Sequence, residues 1–142
     1  MNSPPFEELE QLSMRLMHEF RQDAFKALVP LGITPMQAMS LVMVAEGCEQ
    51  PSELAQELGT SPAGVSQLLA GLEERGWLLR TTDSEDRRKV RLALTPEGLT
   101  FIRQIEQCWR SANAPRMHRL SHEEVQTLIQ IYRKLLGPGV KP

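Results

Sequence analysis

Apolar residues return at helical spacing from the start of the chain. Phe6, Leu9, Leu12, Leu16, Phe20, Ala24 and Leu28 share one helix face, and Pro30 and Gly32 end the run. At 1.5 Å per residue such a helix is about 35 Å long, more than a small domain needs to cover its own core. Thr34 then reads as an N-cap with Pro35 at the first helical position, opening a helix that lasts until Gly47. Gln37, Ser40 and Glu46 are its only polar members, so it is expected to be apolar nearly all round and centrally buried. Pro51 opens a short helix with Leu54, Ala55 and Leu58, closed by Gly59. Ser61 caps the next, with Pro62 at its first position and Val65, Leu68, Leu69 and Leu72 on one face before Gly76 stops it.

After Gly76 the period changes to two. Residues 77–82 predict a strand, 83–89 a polar loop, and Val90, Leu92 and Leu94 alternate with Arg91 and Ala93 as in a half-buried return strand. Thr95-Pro96-Glu97 caps a further helix with Leu99, Phe101, Ile102, Ile105, Cys108 and Trp109, which Pro115 is expected to interrupt. Ser121 and Glu124 form a capping box for a last helix carrying Val125, Leu128, Ile129, Tyr132, Leu135 and Leu136, stopped by Gly137 and Pro138. The apolar faces of the first helix and the two C-terminal segments exceed what one core can cover, which predicts a C2 homodimer. Between them lie a short helix, a tight turn at 59–61, a second helix of about fourteen residues and a two-stranded hairpin, the order of a winged helix-turn-helix. The expected fold is therefore mainly α with a small β-wing, flanked by N- and C-terminal dimerisation helices. A second helix of this kind fits the major groove of DNA, and a basic wing tip can reach the backbone or the adjacent minor groove.

A length of 142 residues fits one domain, 1–142. Hydrophobic residues at 41% and charged residues at 24% are near the globular average, so disorder and fibrous repeats are disfavoured. The net charge of −2 argues against indiscriminate binding of nucleic acid, but the charge is unevenly spread. Residues 1–50 hold three Lys/Arg against seven Asp/Glu, 51–100 six against eight, and 101–142 seven against three. The densest basic piece is Arg87-Arg88-Lys89 with Arg91, directly after Asp83, Glu85 and Asp86. A solvated turn balanced by its acidic neighbours is the plain alternative for that piece. No apolar run approaches the ~20 residues of a membrane span, and residues 1–5 lack a signal-peptide pattern, so a cytoplasmic protein without membrane partners is expected.

Cys48 and Cys108 are too few for a disulfide framework and too far apart for a Cys-x-x-Cys motif; Cys108 reads as a small buried apolar group and Cys48 as a loop residue. His118 and His122 lack a third and fourth ligand, so no metal site is expected. Nucleophile motifs, phosphate loops and paired catalytic carboxylates are absent from the sequence; neither enzyme activity nor a cofactor is expected.

Residues 31–98 resemble the MarR family of bacterial transcription regulators. The most specific stretch is Asp83-Ser-Glu-Asp-Arg-Arg-Lys-Val-Arg-Leu-Ala-Leu-Thr-Pro-Glu-Gly98, which is similar to the family's wing signature, joined by Leu72-Glu-Glu-Arg-Gly-Trp-Leu78. The resemblance implies an obligate homodimer on an inverted-repeat operator in double-stranded DNA, with residues 34–95 as the DNA-binding region and 6–30 and 96–137 as dimerisation helices. It also implies that Arg88, flanked by Arg87 and Lys89, enters the minor groove while Asp86 orients it. Ser61, Ala63, Ser66 and Gln67 fall where the family contacts the major groove. The family often carries Arg at the positions of Gln67 and Gly71, and residues 61–75 here have Arg75 alone against Glu73 and Glu74. That departure motivates a second reading, a winged-helix module that binds a protein partner.

Met14, Met17, His18, Met36 and Met39 are the candidates for a pocket that takes a small apolar or aromatic effector and thereby releases a repressor from DNA, since thioethers fit irregular apolar ligands. Core filling is the plainer role for these methionines, and a lone helical histidine is usually a surface residue. A third reading is a redox-responsive regulator using Cys48 or Cys108, although peroxide sensors resembling this family carry their cysteine in the first helix, where this chain has none.

Overall fold

Five helices of this protein open on a proline, at Pro4, Pro35, Pro51, Pro62 and Pro96. A first-turn residue has no intrahelical use for its N–H, and proline's fixed φ is already helical, so each proline marks a start without weakening the helix behind it. The computed structural model describes residues 4–139; the expectation about a leader concerns partly residues 1–3, which lie outside the described ones. The elements are α1 (Pro4–Leu28) with a 3-10 turn at Val29–Leu31, α2 (Pro35–Ala45), α3 (Pro51–Leu58), α4 (Pro62–Glu74), β1 (Leu78–Thr82), β2 (Val90–Leu94), α5 (Pro96–Met117) and α6 (His122–Leu136). The chain is mainly α with a two-stranded antiparallel wing, as the sequence predicts.

The hydroxyls of Thr34, Ser61, Thr95 and Ser121 accept hydrogen bonds from the amides of Gln37, Gly64, Gly98 and Glu124 at 3.2, 3.1, 2.9 and 3.2 Å. Gln37 and Glu124 return the bond to the cap amides, closing two capping boxes. The core is one cluster in which Leu28, Leu41, Leu54, Leu69, Leu72, Leu78 and Ile105 are fully buried, so it joins the end of α1 to α2, α3, α4, β1 and α5.

Three expectations need correction. Pro115 does not interrupt α5, which runs on to Met117; the proline stands in the last turn, where the missing donor loosens only the end of the helix. The second helix is not buried all round, because Met36 and Met39 are open and only Ala38, Ser40, Leu41 and Val44 are buried. Ser40 tolerates that burial by donating its hydroxyl to the Met36 carbonyl at 2.7 Å. Cys108 is only half-buried rather than a core residue.

In the wing, Leu78 pairs with Leu94 and Thr82 with Val90. The free edge of β2 is fastened to the loop before α3, where the Leu92 amide donates to the Glu49 carbonyl at 2.7 Å. At the wing root the Thr95 hydroxyl donates to the Gly76 carbonyl at 2.6 Å while its amide donates to the Trp77 carbonyl at 3.1 Å. Gly98 lies against that same carbonyl, so closely that a Cβ there would overlap its oxygen.

Away from the wing, α1 packs on α5. Arg116 donates to Glu19 at 2.8 Å and also bonds Asp23, with its guanidinium 5.6 Å from the Phe20 ring centroid. The guanidinium of Arg116, with help from Arg15, holds the Glu19 carboxyl below the usual carboxylate range. A depressed carboxyl pKa contributes stability that is present above the unfolded-state value and lost as pH falls through the folded one. We therefore expect Arg116→Met to lower the urea midpoint at neutral pH, and the gap from wild type to shrink as pH is taken below about 4. A gap that stays constant well below that pH would show that the ion pairs do not hold α1 on α5.

Candidate nucleic-acid interface

The turn between α3 and α4 depends on Gly59, whose φ of +63° is the left-handed conformation that favours glycine. It turns the chain so that the Thr60 amide donates back to the Ala55 carbonyl at 3.0 Å, and Ser61 then caps α4. Helix α4 buries Val65, Leu69 and Leu72. Ser61, Ala63, Ser66, Gln67 and Ala70 remain exposed, so the residues expected at the major groove do share an open strip. The Ser61 hydroxyl spends an acceptor on the Gly64 amide and keeps its own proton for donation.

The wing tip is ordered by two aspartates. Asp83 closes the loop through its amide, which donates to the Lys89 carbonyl at 2.8 Å, and its carboxylate accepts from the Glu85 amide at 3.0 Å and from Arg91 Nε at 3.2 Å. The Glu85 amide, with Arg91 behind it, lowers the Asp83 carboxyl below its ordinary range. Asp86 accepts from the Arg88 amide at 3.0 Å, and its carbonyl accepts from the Lys89 amide at 3.0 Å. Asp86 thus orders Arg88 through the backbone, as an Asx turn, with no ion pair to the guanidinium.

The charges around the wing are of two kinds, committed and open. Arg91 is committed to Asp83 and to Glu49 at 3.4 Å, so it is not one more free wing cation. Arg80 pairs with Glu73 of α4. Arg75, the C-cap of α4, donates to the Gly32 carbonyl at 2.6 Å and lies 4.1 Å from the Trp77 ring centroid. Among the described residues Arg87, Arg88 and Lys89 enter no ion pair. A basic tip of three exposed cations projects beside an α4 face without open cations, an arrangement suited to phosphates and a narrow minor groove.

Sequence reasoning missed Arg75, Glu49 and Arg80 as parts of this site. The partners of Arg75 and Glu49 lie on distant stretches of chain, and no local spacing announces them.

The five effector candidates are not gathered within one chain. Met14, Met17 and His18 lie exposed on α1, and Met36 and Met39 lie open on α2, while α1 packs on α5 rather than on α2. The described cavities have other linings: one of about 250 Å³ is lined by Leu12, Arg15, Leu16 and Glu19, and one of about 430 Å³ includes Met43, Cys48, Glu53 and Glu57. Burial, with Glu53 and Glu57 nearby, pushes the Cys48 thiol up, away from the reactive thiolate. His118 and His122 flank the break between α5 and α6, and no group of metal-binding residues occurs among the described residues. No single described helix is long and apolar enough to cross a membrane.

Comparison with known proteins agrees with this geometry. The model of the MarR family matches residues 31–89, which run from the end of the 3-10 turn after α1 through the wing tip. The transcriptional repressor MprA of Escherichia coli (strain K12) is 33% identical over 139 residues, covering 94% of this chain and 78% of MprA. Wild-type apo MarR from E. coli superposes with a TM-score of 0.75 at 27% identity, covering 87% of this chain and 95% of that one. A MarR family protein from Bacillus stearothermophilus gives a TM-score of 0.84 at 24% identity, covering 95% of each chain, a likeness of fold. With the winged helix-turn-helix, its basic tip and a relative of this identity across nearly its whole length, the chain belongs to the MarR family of DNA-binding transcriptional regulators.

Proposed function

We propose that this regulator is a cytoplasmic C2 homodimer that represses a nearby operon from an inverted-repeat operator and is released by a small apolar or aromatic effector. The observation that carries the dimer is α6. It has a capping box and an apolar stripe, yet no residue of it is buried within the chain, and Leu135 is 75% exposed. Phe6, Leu9 and Leu12 of α1 are open as well. Apolar faces of this extent are stable in water when a second surface covers them, and a second copy supplies an identical one. MprA is named a repressor, which supports repression here. The basic tip supports DNA as the partner, with Ser61, Ala63, Ser66 and Gln67 at the major groove and Arg87, Arg88 and Lys89 at the minor groove and backbone.

The effector site belongs where the dimer helices meet the helix-turn-helix, with Met14, Met17, His18, Met36 and Met39 as its lining. An effector acts only by binding one spacing of the recognition helices better than another. The α4 face without open cations favours a second reading, in which the dimer binds a protein through that face.

A shift assay on the promoter region beside the gene, run with light scattering on the same sample, tests these points. The expected result is a dimer mass at micromolar concentration and a shifted duplex that phenols or aromatic carboxylates release. A monomer mass removes the dimer, a dimer that shifts no duplex favours the protein-binding reading, and compounds that change neither the shift nor the melting temperature remove the effector.

A further inference from the structure

The recognition helix α4 is seated by its apolar face on α2, α3 and β1, and its main packing does not reach α1 or α5. Beyond the shared core cluster, a polar side chain adds such a link. Arg75, at the C-terminal end of α4, donates to the carbonyl of Gly32, a residue 43 positions away that terminates the 3-10 turn after α1. Its guanidinium also lies 4.1 Å from the ring centroid of Trp77, and that ring is stacked on Phe101 of α5 at 3.8 Å with planes 10° apart. A planar guanidinium can donate in its plane and stack across it at once, so a single group meets the exit of α1 and, through Trp77, the flank of α5. Gly32 has a left-handed φ of +64°, and its amide is bonded to the Val29 carbonyl at 3.1 Å, so the carbonyl that Arg75 uses is held by its own turn.

We propose that Arg75 is a positioning residue for operator binding: it fixes the recognition helix relative to α1 and α5, and so sets the half-site separation that the protein accepts. Arg75 touches no DNA in this role. Two recognition helices on one duplex are related only through the elements that join the protomers, so play between α4 and those elements becomes play in half-site spacing. The inference rests on the homodimer reading. In this role the exposed C-cap cation of α4 is committed to Gly32 and Trp77 rather than left open for base readout.

The test uses full-length protein and a duplex selected from randomised DNA by the wild type. Derivatives of that duplex have the centre lengthened or shortened by one and two base pairs. Wild type is expected to lose about tenfold for one base pair of altered spacing, comparable with one mismatched pair. Arg75→Met keeps the apolar stem and removes the donors; it should bind the selected duplex several-fold more weakly and lose less than about threefold more on any respaced one, with an unchanged salt slope. Arg75→Lys, which can still reach the Gly32 carbonyl but cannot stack as a plane, should fall between them and stands in if the Met variant fails to fold. An equal loss at every spacing, or a salt slope reduced by about 1, overturns the proposal, because either result makes Arg75 a general stabiliser or a phosphate contact. A wild type that is monomeric and indifferent to spacing overturns the dimer as well; a spacing-sensitive dimer whose variants keep the same spacing profile overturns Arg75 alone.

Discussion

Gly98→Ala is expected to melt at least about 10 °C below wild type, a loss of about 3 kcal/mol or more in a domain of this size. The added Cβ would overlap the Trp77 carbonyl oxygen and lie 2.9 Å from its carbonyl carbon, and both are backbone. That oxygen cannot retreat freely, since it accepts from the Thr95 amide at 3.1 Å in the bond that closes the wing root onto α5. The glycine cannot move outward either, because its own amide is held by the Thr95 hydroxyl at 2.9 Å. Gly64→Ala is the control. There the nearest atom is the Thr60 hydroxyl, the end of a side chain that can rotate, so its cost should be far smaller. Thermal unfolding followed by circular dichroism compares the two, and a Gly98→Ala protein melting within about 2 °C of wild type would show that the wing root yields more easily than its hydrogen bonds imply.

Removing the open wing cations should have the largest effect on DNA. With Arg87, Arg88 and Lys89 all changed to alanine, the slope of log affinity against log salt should flatten by about 2 to 3 per protomer, at ~0.9 for each phosphate that is no longer neutralised. Affinity at low salt should fall by about two orders of magnitude or more. Arg88 should account for the largest share, because its guanidinium is the group that fits a narrow A·T-rich minor groove. Gln67→Ala should behave differently, costing about 1 to 3 kcal/mol at a single base position while leaving the salt slope as it was. Fluorescence anisotropy across a salt series reads both quantities. A triple variant with the wild-type slope would exclude the wing as the electrostatic anchor.

Much of this fold is legible in the sequence because its punctuation is local. A cap hydroxyl, a proline at the first helical position and a glycine past the last each act within a few residues, and Thr34, Ser61, Thr95 and Ser121 all do what their neighbours predict. Pro115 misled for a related reason, since a proline's cost depends on where the helix would end anyway. The exposed strip of α4 and the basic tip were also readable, because a period of 3.6 or 2 decides which side chains face out. The wiring between them was not. Whether Arg91 is free or spent on Glu49 and Asp83, and whether Asp86 holds a guanidinium or an amide, depends on how distant segments meet. The effector candidates show the same limit: helical spacing groups Met14 with Met17 and Met36 with Met39, but only packing decides whether α1 comes near α2.

The two ends of the wing are held very differently. Its root is stitched into the core at Leu78, Leu92 and Thr95, and its second strand is moored to Glu49. At the tip, by contrast, the side chains of Arg87, Arg88 and Lys89 are exposed and hold nothing else in place. Substitutions there are expected to leave the fold almost untouched, so the DNA affinity proposed for the tip can be retuned without a loss of stability.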